Sequence, residues 1–242
     1  MPLVRERAPR HDRHDAGSAP GQARPVPARP LLGLPPRFPE SSAEPRGTRF
    51  YYRDFYDGAG QAELDSLFGA QEKIYRDRAE TLRGHAQSPV SWLDIGTGHG
   101  HFCLAASKNW PATAFDGLDT SDGIDYAVRR GWVRRGYQGL FPMLAPELDG
   151  QYDVVSMFHY LEHTREPAAE LDAAALVLKP GGHLLIEVPD PEWPMGRLLG
   201  RFWLSWLQPQ HQHFVPIANL KGALCERGLT ILGERRDMKA AP

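Results

Sequence analysis

From residue 90 onward, short apolar runs alternate with segments whose apolar residues recur at helical spacing. Runs of this kind predict buried strands, and the segments between them predict helices. The predicted strands are VSWLDIG (90–96), TAFDGLD (113–119), YQGLF (137–141), YDVVSMFHY (152–160), GHLLIEVP (182–189) and LTILGERR (229–236). The predicted helices are 101–109, 122–131, 166–178 and 217–228. This alternation is typical of an α/β fold, a Rossmann-like doubly wound parallel sheet covered on both faces.

Two segments of different character precede the alternating part. Residues 1–49 hold ten of the 22 prolines and nine arginines, with few large apolar residues. Such a composition cannot bury enough surface to offset the entropy of ordering, so this tail is predicted to be disordered. Residues 50–88 predict a helical cap that ends near Gly84, because apolar residues share one helical face. The residues of that face are Leu64, Leu67, Phe68, Tyr75, Ala79 and Leu82.

Composition excludes several classes of protein. The formal net charge of −2 does not favour nucleic acid as a partner. Apolar runs fall short of the roughly 18 residues that a membrane-spanning helix requires, and an apolar leader segment is not evident. Cys103 and Cys225 lie far apart in helical segments, which predicts reduced, buried thiols in a cytoplasmic protein.

The stretch LDIGTGHG (93–100) holds the first candidate ligand site. Asp94 ends an apolar strand, and Gly96, Gly98 and Gly100 alternate before a helix. Glycines allow a tight turn and close approach of the backbone to a ligand, and the helix N-terminus presents unpaired N–H groups. The dinucleotide fingerprint requires a further glycine where this chain has His101. The pattern indicates a nucleotide-like ligand and disfavours a nicotinamide cofactor.

Asp119 is the second candidate. It ends the next predicted strand, in FDGLDTSDG (115–123), where a carboxylate can accept both ribose hydroxyls of an adenosine. The alternative is that Asp119 caps the following helix, but Ser121 or Asp122 could fill that role. The glycine turn upstream favours ribose binding.

With LDIGTGHG and GLDTS, the motifs LEH (161–163) and LKPGG (178–182) occur in a fixed order. In these motifs the chain resembles the class I S-adenosylmethionine-dependent methyltransferases over roughly residues 88–235. More narrowly, it resembles the small-molecule branch that includes the ubiquinone-pathway O-methyltransferases. The resemblance implies a methyltransferase domain over 89–242, S-adenosyl-L-methionine as cofactor and a small-molecule acceptor, with O-methylation as the expected reaction.

The resemblance also implies roles for individual residues. Gly96, Gly98 and Gly100 would surround the methionine part of the donor, and Asp94 would hold its ammonium group. The remaining donor contacts would be Asp119 with the ribose, Leu118 and Thr120 beside the adenosine, Leu140 and Phe141 near the adenine, and Met157, Phe158 and His159 at the reacting methyl.

Three hypotheses compete for the histidine-rich segments. His159, Glu162 and His163 follow the fourth predicted strand of the alternating part, and His211 and His213 belong to a segment that could fold over the same edge. His163 could be a general base oriented by Glu162, the group could bind a divalent metal, or Glu162 and His163 could only fasten the loop. His159 stands where related enzymes that use a cation carry an acidic residue, which argues against a magnesium-type site, so no metal ligands are assigned.

An aromatic-rich insertion over residues 191–215 includes Trp203 and Trp206. It could close over an apolar acceptor as a lid, with these tryptophans and His211 and His213 contacting the substrate. The alternative is that the aromatic side chains only cover the sheet and its helices.

The fold normally ends with a strand inserted antiparallel between the fifth and sixth strands, and the sequence after residue 236 leaves no room for it. The sequence therefore predicts a sheet lacking its final strand, with an exposed edge. That prediction supports a second hypothesis, a protein that binds S-adenosylmethionine with little or no catalytic activity.

Overall fold

The computed structural model describes residues 2–7, 70–86, 88–199 and 211–235. Its strands are β1 (Pro2–Arg7), β2 (Ser91–Ile95), β3 (Ala114–Asp119), β4 (Arg135–Gln138), β5 (Tyr152–Phe158), β6 (Leu178–Glu187) and β7 (Leu229–Glu234). The helices are α1 (Glu72–Glu80), α2 (His101–Asn109), α3 (Gly123–Arg129), α4 (Phe141–Leu144), α5 (Pro167–Val177), α6 (Pro194–Leu199) and α7 (Ile217–Glu226). Two 3₁₀ turns cover Ala145–Leu148 and Leu161–His163. Among the described helices, none combines the length and the apolar character that a membrane span requires.

The strands form one seven-stranded sheet in the order β4-β3-β2-β5-β6-β1-β7. Strands β4, β3, β2, β5 and β6 run parallel. The order reverses between β2 and β5, because the chain first builds β3 and β4 on one side of β2 and then crosses to the other. Ligands of such sheets bind at the carboxyl edge next to this reversal. The prediction of a Rossmann-like doubly wound fold is confirmed.

Strand β1 corrects two predictions about the ends of the chain. It lies antiparallel between β6 and β7, with Val4 opposite Leu185 on one side and Gly233 on the other. This is the position that the sequence analysis left empty, so the sheet does not lack a strand there, and residues 2–7 are not a disordered tail. Backbone N–H and C=O groups on the facing edges of β6 and β7 explain why even a short segment pairs there. The rest of the predicted tail lies outside the described residues.

Alternate strand residues pack on opposite faces of the sheet, as the pleat requires. Leu93, Val155 and Leu184 belong to a buried cluster with α5 and α7. Their neighbours Trp92, Val154 and Leu185 belong to a second buried cluster with α1, α2 and α3. Both faces of the central strands are therefore covered, which explains why the strands are continuous apolar runs.

Most predicted elements lie within one to two residues of the observed ones. One exception is β6, which begins at Leu178, four residues before the predicted strand 182–189. The predicted strand 137–141 occupies Arg135–Gln138 instead, and Phe141 begins α4. Of the predicted cap only residues from 70 onward are described, and there Tyr75, Ala79 and Leu82 are buried as expected.

The two cysteines differ in exposure. Cys103 is buried, whereas Cys225 is exposed, so the prediction of two buried thiols holds for Cys103 alone. On α7 the buried residues are Ile217, Leu220 and Leu224. Cys225 lies one position, about 100° of helix rotation, beyond Leu224 and therefore off the buried face.

Candidate active site

The glycine turn between β2 and α2 has the backbone conformation that requires glycine. Gly96, Gly98 and Gly100 have φ values of 76°, 52° and 84°. A Cβ on Gly96 would lie 2.8 Å from a ring carbon of Tyr160, and one on Gly100 would lie 2.7 Å from the Cβ of Ala127. Beside Gly98 a Cβ would meet open space. Two glycines are therefore needed for packing, and the middle one faces space that a ligand could fill.

Backbone hydrogen bonds attach this turn to the end of β3. The N–H groups of Gly96 and Thr97 donate to the carbonyl oxygen of Leu118 at 2.8 and 3.2 Å. The N–H of Gly98 donates to Oδ2 of Asp119 at 2.8 Å, and the N–H of Ser121 donates to Oδ1 at 2.8 Å. Each carboxylate oxygen of Asp119 can accept a second hydrogen bond. The carboxylate is thus held in place with acceptor capacity left for a ligand.

Asp94 is a buried carboxyl group at the end of β2, with 3% of its surface exposed. The hydroxyl of Ser156 donates to Oδ1 at 2.5 Å, and Nε1 of Trp92 donates to the Ser156 oxygen at 2.9 Å. Burial raises the pKa of Asp94 to about 7, although the Ser156 hydrogen bond favours the charged form. A buried carboxyl group of this kind would gain from a cationic ligand group beside it.

Comparison with known proteins decides the family. A family model described as a methyltransferase domain matches residues 68–234. The chain belongs to the class I S-adenosylmethionine-dependent methyltransferases. The ubiquinone biosynthesis O-methyltransferase of Bordetella bronchiseptica is 32% identical over 201 residues, which cover 72% of this chain and 83% of that protein. The homologous enzyme of Bordetella avium is 25% identical over the same length and coverage.

Solved structures show the same fold for this methyltransferase. A SAM-dependent methyltransferase from Archaeoglobus fulgidus has a TM-score of 0.54 at 18% identity and covers 74% of this chain and 73% of its own. One from Thermotoga maritima has the same TM-score and identity and covers 74% and 79%. The family implies S-adenosylmethionine as methyl donor, and the residues fit it: a glycine cradle, a buried carboxyl group and a second carboxylate with free acceptor capacity lie together.

The other residues that the resemblance assigned to the donor differ in exposure. Thr120 and Leu140 are exposed, with Leu140 at 62%. Leu118, Met157 and Phe141 are at most 1% exposed and pack in the core. Leu118 contributes its backbone carbonyl to the glycine turn. The side chains of Met157 and Phe141 belong to the larger buried core cluster. Direct contact of either with the donor stays a prediction.

A row of alternating charges lies beyond β5 and includes two residues that the sequence analysis missed. Nδ1 of His159 lies 3.1 Å from Oε1 of Glu162, and Nε2 lies 2.9 Å from Oε1 of Glu187. Arg78 on α1 donates two hydrogen bonds to Glu187, at 2.8 and 2.6 Å. Sequence analysis could have found Glu187, because a single carboxylate in the otherwise apolar predicted strand 182–189 indicates a buried partner. It could not have singled out Arg78, which is one of several charged residues on α1.

The environment of His159 favours its charged form. Burial lowers the pKa of His159, but the hydrogen bonds to Glu162 and Glu187 outweigh it and raise the pKa overall. Burial likewise opposes the charge of Glu187, whose pKa is nevertheless lowered by His159 and Arg78. Both ring nitrogens of His159 face carboxylate oxygens, and an ionised carboxylate only accepts hydrogen bonds, so this geometry suits a ring that carries protons on both nitrogens. His159 also has a φ of 51°, a conformation that non-glycine residues rarely adopt.

The structure brings Glu162, His163 and His211 together, although they come from separate segments. Each offers one ligand atom, and these atoms all lie within 4.8 Å of one another. The rings of His163 and His211 meet edge to face with centroids 4.6 Å apart. Glu162 and His211 are buried, at 2% and 4% exposure. The expectation that the segment of His211 reaches the same edge as the LEH motif is therefore confirmed for residues 211–213.

Hydrogen bonds explain how that segment is held. The N–H groups of Gln212 and His213 donate to the carbonyl oxygen of Glu162 at 2.7 and 3.2 Å. The Nε2 atom of His213 lies 3.1 Å from the carbonyl oxygen of Arg165. His213 therefore fastens the segment, whereas His211 contributes its ring to the group at Glu162. Trp203 and Trp206 lie outside the described residues, so the lid hypothesis stays a prediction.

Proposed function

We propose that this methyltransferase transfers the methyl group of S-adenosylmethionine to an oxygen atom of a small-molecule acceptor. The observation that carries the proposal is that three groups meet at one edge of the sheet. They are the glycine turn with Asp94, the fixed carboxylate of Asp119, and the group Glu162, His163 and His211. The relatives named O-methyltransferases support oxygen as the acceptor atom.

The donor half of the site consists of the ends of β2 and β3. The carboxylate of Asp94 would pair with the ammonium group of the donor, which offsets the cost of burying that carboxylate. Asp119 would accept hydrogen bonds from the ribose hydroxyls while its bonds to Gly98 and Ser121 keep it in position. The space beside Gly98 would admit the donor close to the backbone.

The acceptor half follows β5. When bound, the donor supplies an activated methyl group on a sulfonium, which passes in line to the acceptor oxygen while the thioether leaves. The protein has to align the acceptor, exclude water and remove the hydroxyl proton. His163 is half-buried beside Glu162 and is the candidate to take that proton. His159 is the poorer candidate, because carboxylates engage both of its ring nitrogens. It would instead position Glu162.

The hypothesis of a protein that binds the donor without turnover loses its main support. It depended on an empty position in the sheet, and β1 occupies that position. Within the described residues, the sheet is continuous from β6 through β1 to β7, so an incomplete sheet no longer supports that hypothesis.

The test is donor binding by calorimetry followed by methyl transfer from isotopically labelled S-adenosylmethionine to matched phenols, catechols, amines and carboxylic acids. We expect labelled product from phenols or catechols, with mass spectrometry locating the methyl group on oxygen. Asp119→Asn should weaken donor binding at least tenfold, since one ribose hydrogen bond to a charged acceptor contributes about 1.5 to 3 kcal/mol. Asp125→Asn, an exposed carboxylate on α3, is the matched control. Methylation confined to amines, or donor binding without any transfer, would refute the proposal.

A further inference from the structure

We propose that Ser156 and Trp92 are positioning residues for the methyl donor. They hold one oxygen of the Asp94 carboxyl group so that the other oxygen can bind the ammonium group of the donor. The inference rests on the proposed function, because it takes Asp94 as the partner of that ammonium group. Ser156 and Trp92 lie outside the glycine turn, and both would act on the donor through Asp94.

The three side chains lie on one face of the sheet. Strands β2 and β5 are parallel neighbours, and Asp94 on β2 lies opposite Ser156 on β5. Trp92 lies two residues before Asp94, and residues two apart along a strand face the same side of a sheet. Hydrogen bonds join both side chains to the hydroxyl of Ser156. All three residues are at most 3% exposed, so water does not replace these bonds.

The chemistry of the groups fixes the direction of both hydrogen bonds. An indole N–H only donates, so Oγ of Ser156 accepts from Nε1 of Trp92 at 2.9 Å. The single hydroxyl proton of Ser156 is then directed to Oδ1 of Asp94 at 2.5 Å. Trp92 therefore orients the Ser156 hydroxyl, and that hydroxyl fixes Oδ1 of the carboxyl group.

The second oxygen of Asp94 keeps acceptor capacity for a ligand. Oδ2 lies 4.0 Å from Sγ of Cys103, and a thiol is a weak hydrogen-bond donor. A proton and the ammonium group of the donor would compete for Oδ2. Binding of the ammonium group to the neutral form of Asp94 would therefore release this proton to solvent.

Charges on neighbouring elements also act on Asp94. Burial raises its pKa to about 7, and the hydrogen bond from Ser156 is the largest influence that opposes this increase. The charge of Asp119 on β3 raises the pKa further, whereas Arg78 on α1 lowers it. On α2, burial raises the pKa of Cys103 well above its ordinary value, so this thiol stays neutral. Ser156 thus has a strong influence on the pH range in which the donor can bind.

The test is the affinity of the full chain for S-adenosylhomocysteine, measured by calorimetry at pH 6, 7, 8 and 9. This demethylated form of the donor carries the same ammonium and ribose groups. Ser156→Ala should raise the pKa of Asp94 by about one unit or more, because the lost bond favours the charged form. The variant should bind about tenfold more weakly than the unaltered chain at pH 6, and the difference should shrink toward pH 9. Because each comparison is made at one pH, the titration of the amino group of the ligand cancels.

Trp92→Phe tests the second positioning residue. It keeps an aromatic ring in the core but removes the N–H that orients the Ser156 hydroxyl. Binding should weaken roughly threefold at pH 6 and less toward pH 9, since one neutral hydrogen bond is lost. Trp110→Phe is the matched control, because Trp110 is also buried and its Nε1 donates to the carbonyl oxygen of Ala79. Trp110 lies at the opposite end of α2 from the glycine turn, so any weakening by this control should be the same at every pH.

An effect of Ser156→Ala that is constant with pH would overturn the proposal, since a purely structural role weakens binding equally at every pH. Unchanged affinity of this variant at pH 6, or an equal pH-dependent loss in Trp110→Phe, would also overturn it. Thermal unfolding identifies variants that do not fold. For that case, calorimetry of the unaltered chain in buffers of different ionisation enthalpy should show release of about one proton on binding at pH 6, and no release would overturn the proposal.

Methyl transfer separates failure of this inference from failure of the proposed function. With labelled S-adenosylmethionine at pH 7, the KM of Ser156→Ala for the donor should rise several-fold while its kcat stays equal to that of the unaltered chain. Transfer to oxygen by the unaltered chain, without any pH-dependent effect of Ser156→Ala, would refute the positioning role alone. No transfer by the unaltered chain would refute the proposed function.

Discussion

Replacement of Asp94 by asparagine should stabilise the protein without its donor and at the same time weaken donor binding. The carboxyl group is buried, and burial raises its pKa from 3.8 to about 7. Above pH 7 the folded chain therefore buries a carboxylate that water would solvate better in the unfolded state, and this difference lowers stability. Asparagine keeps an oxygen that can accept from the Ser156 hydroxyl but carries no charge.

The size and pH dependence of the effect follow from the two pKa values. A raised pKa means that the folded state retains a proton between pH 4 and pH 7 that the unfolded state releases. The stability from this carboxyl group is complete below about pH 4 and is lost as the pH rises through 7. Each pKa unit corresponds to about 1.4 kcal/mol, so the full loss is at most about 4 kcal/mol. We expect Asp94→Asn to be more stable than the unaltered chain by roughly 1 to 3 kcal/mol at pH 8 and equal to it near pH 4.

Urea unfolding at pH 4.5, 6 and 8 measures this difference, and calorimetry with S-adenosylmethionine measures the other half of the prediction. Donor affinity of the unaltered chain should fall as the pH drops below 7, because the proton competes with the ammonium group, and that dependence should vanish in the variant. At pH 8 the variant should bind the donor ten- to a hundredfold more weakly.

Asp153→Asn provides the contrast. Burial opposes the charge of Asp153, but hydrogen bonds from Lys179 and Ser91 lower its pKa overall. This variant should therefore lose stability at pH 8. A loss of stability in Asp94→Asn at pH 8, or donor affinity equal to that of the unaltered chain, would refute the assignment of Asp94.

Three further substitutions test the fold and the site. Val4→Pro should lower the free energy of unfolding by about 3 kcal/mol or more, because proline cannot donate a backbone hydrogen bond to the strands beside β1. Urea unfolding measures this against Val4→Thr, and equal stability of the two variants would contradict the position of β1 in the sheet. Gly100→Ala should lower the melting temperature, since its Cβ would lie 2.7 Å from that of Ala127 at a φ of +84°; an unchanged temperature would show that the turn adapts. Glu187→Gln should cost about 3 to 5 kcal/mol in urea unfolding because Arg78 loses its buried partner; a smaller cost than that of an exposed Glu→Gln change would contradict the network.

The parallel sheet could be predicted because its signals are local. Strands that are covered on both faces are encoded as continuous apolar runs. The turn after β2 needs glycines because its backbone has positive φ values. Strand β1 could not be predicted in the same way. Its six residues lie within a proline-rich segment, and its stabilisation comes from pairing with Leu185 and Gly233, far away along the chain. Average composition over residues 1–49 hides a short strand whose partners are non-local.

The donor half of the site could be predicted from the sequence and the acceptor half could not, again because only the donor half depends on local signals. Asp94, the glycines and Asp119 lie next to the strands and turn that position them, so motif and spacing were enough to find them. The environment of His159 depends on Arg78 from α1 and Glu187 from the end of β6. Sequence proximity to Glu162 suggested that His159 shares its chemistry, whereas the distant partner Glu187, together with Glu162, raises the pKa of His159 and favours its charged form.

The position of His211 shows how the acceptor half could change while the donor half stays constant. The donor residues lie on strand ends and on a turn within 26 residues of one another, from Asp94 to Asp119. His211 instead reaches the edge through a segment that follows β6 and is attached by backbone bonds to the carbonyl oxygen of Glu162. Backbone bonds of this kind do not depend on which side chains the segment carries. A substitution in that segment should therefore alter acceptor recognition without disturbing the glycine turn, so we expect donor and acceptor recognition to vary independently.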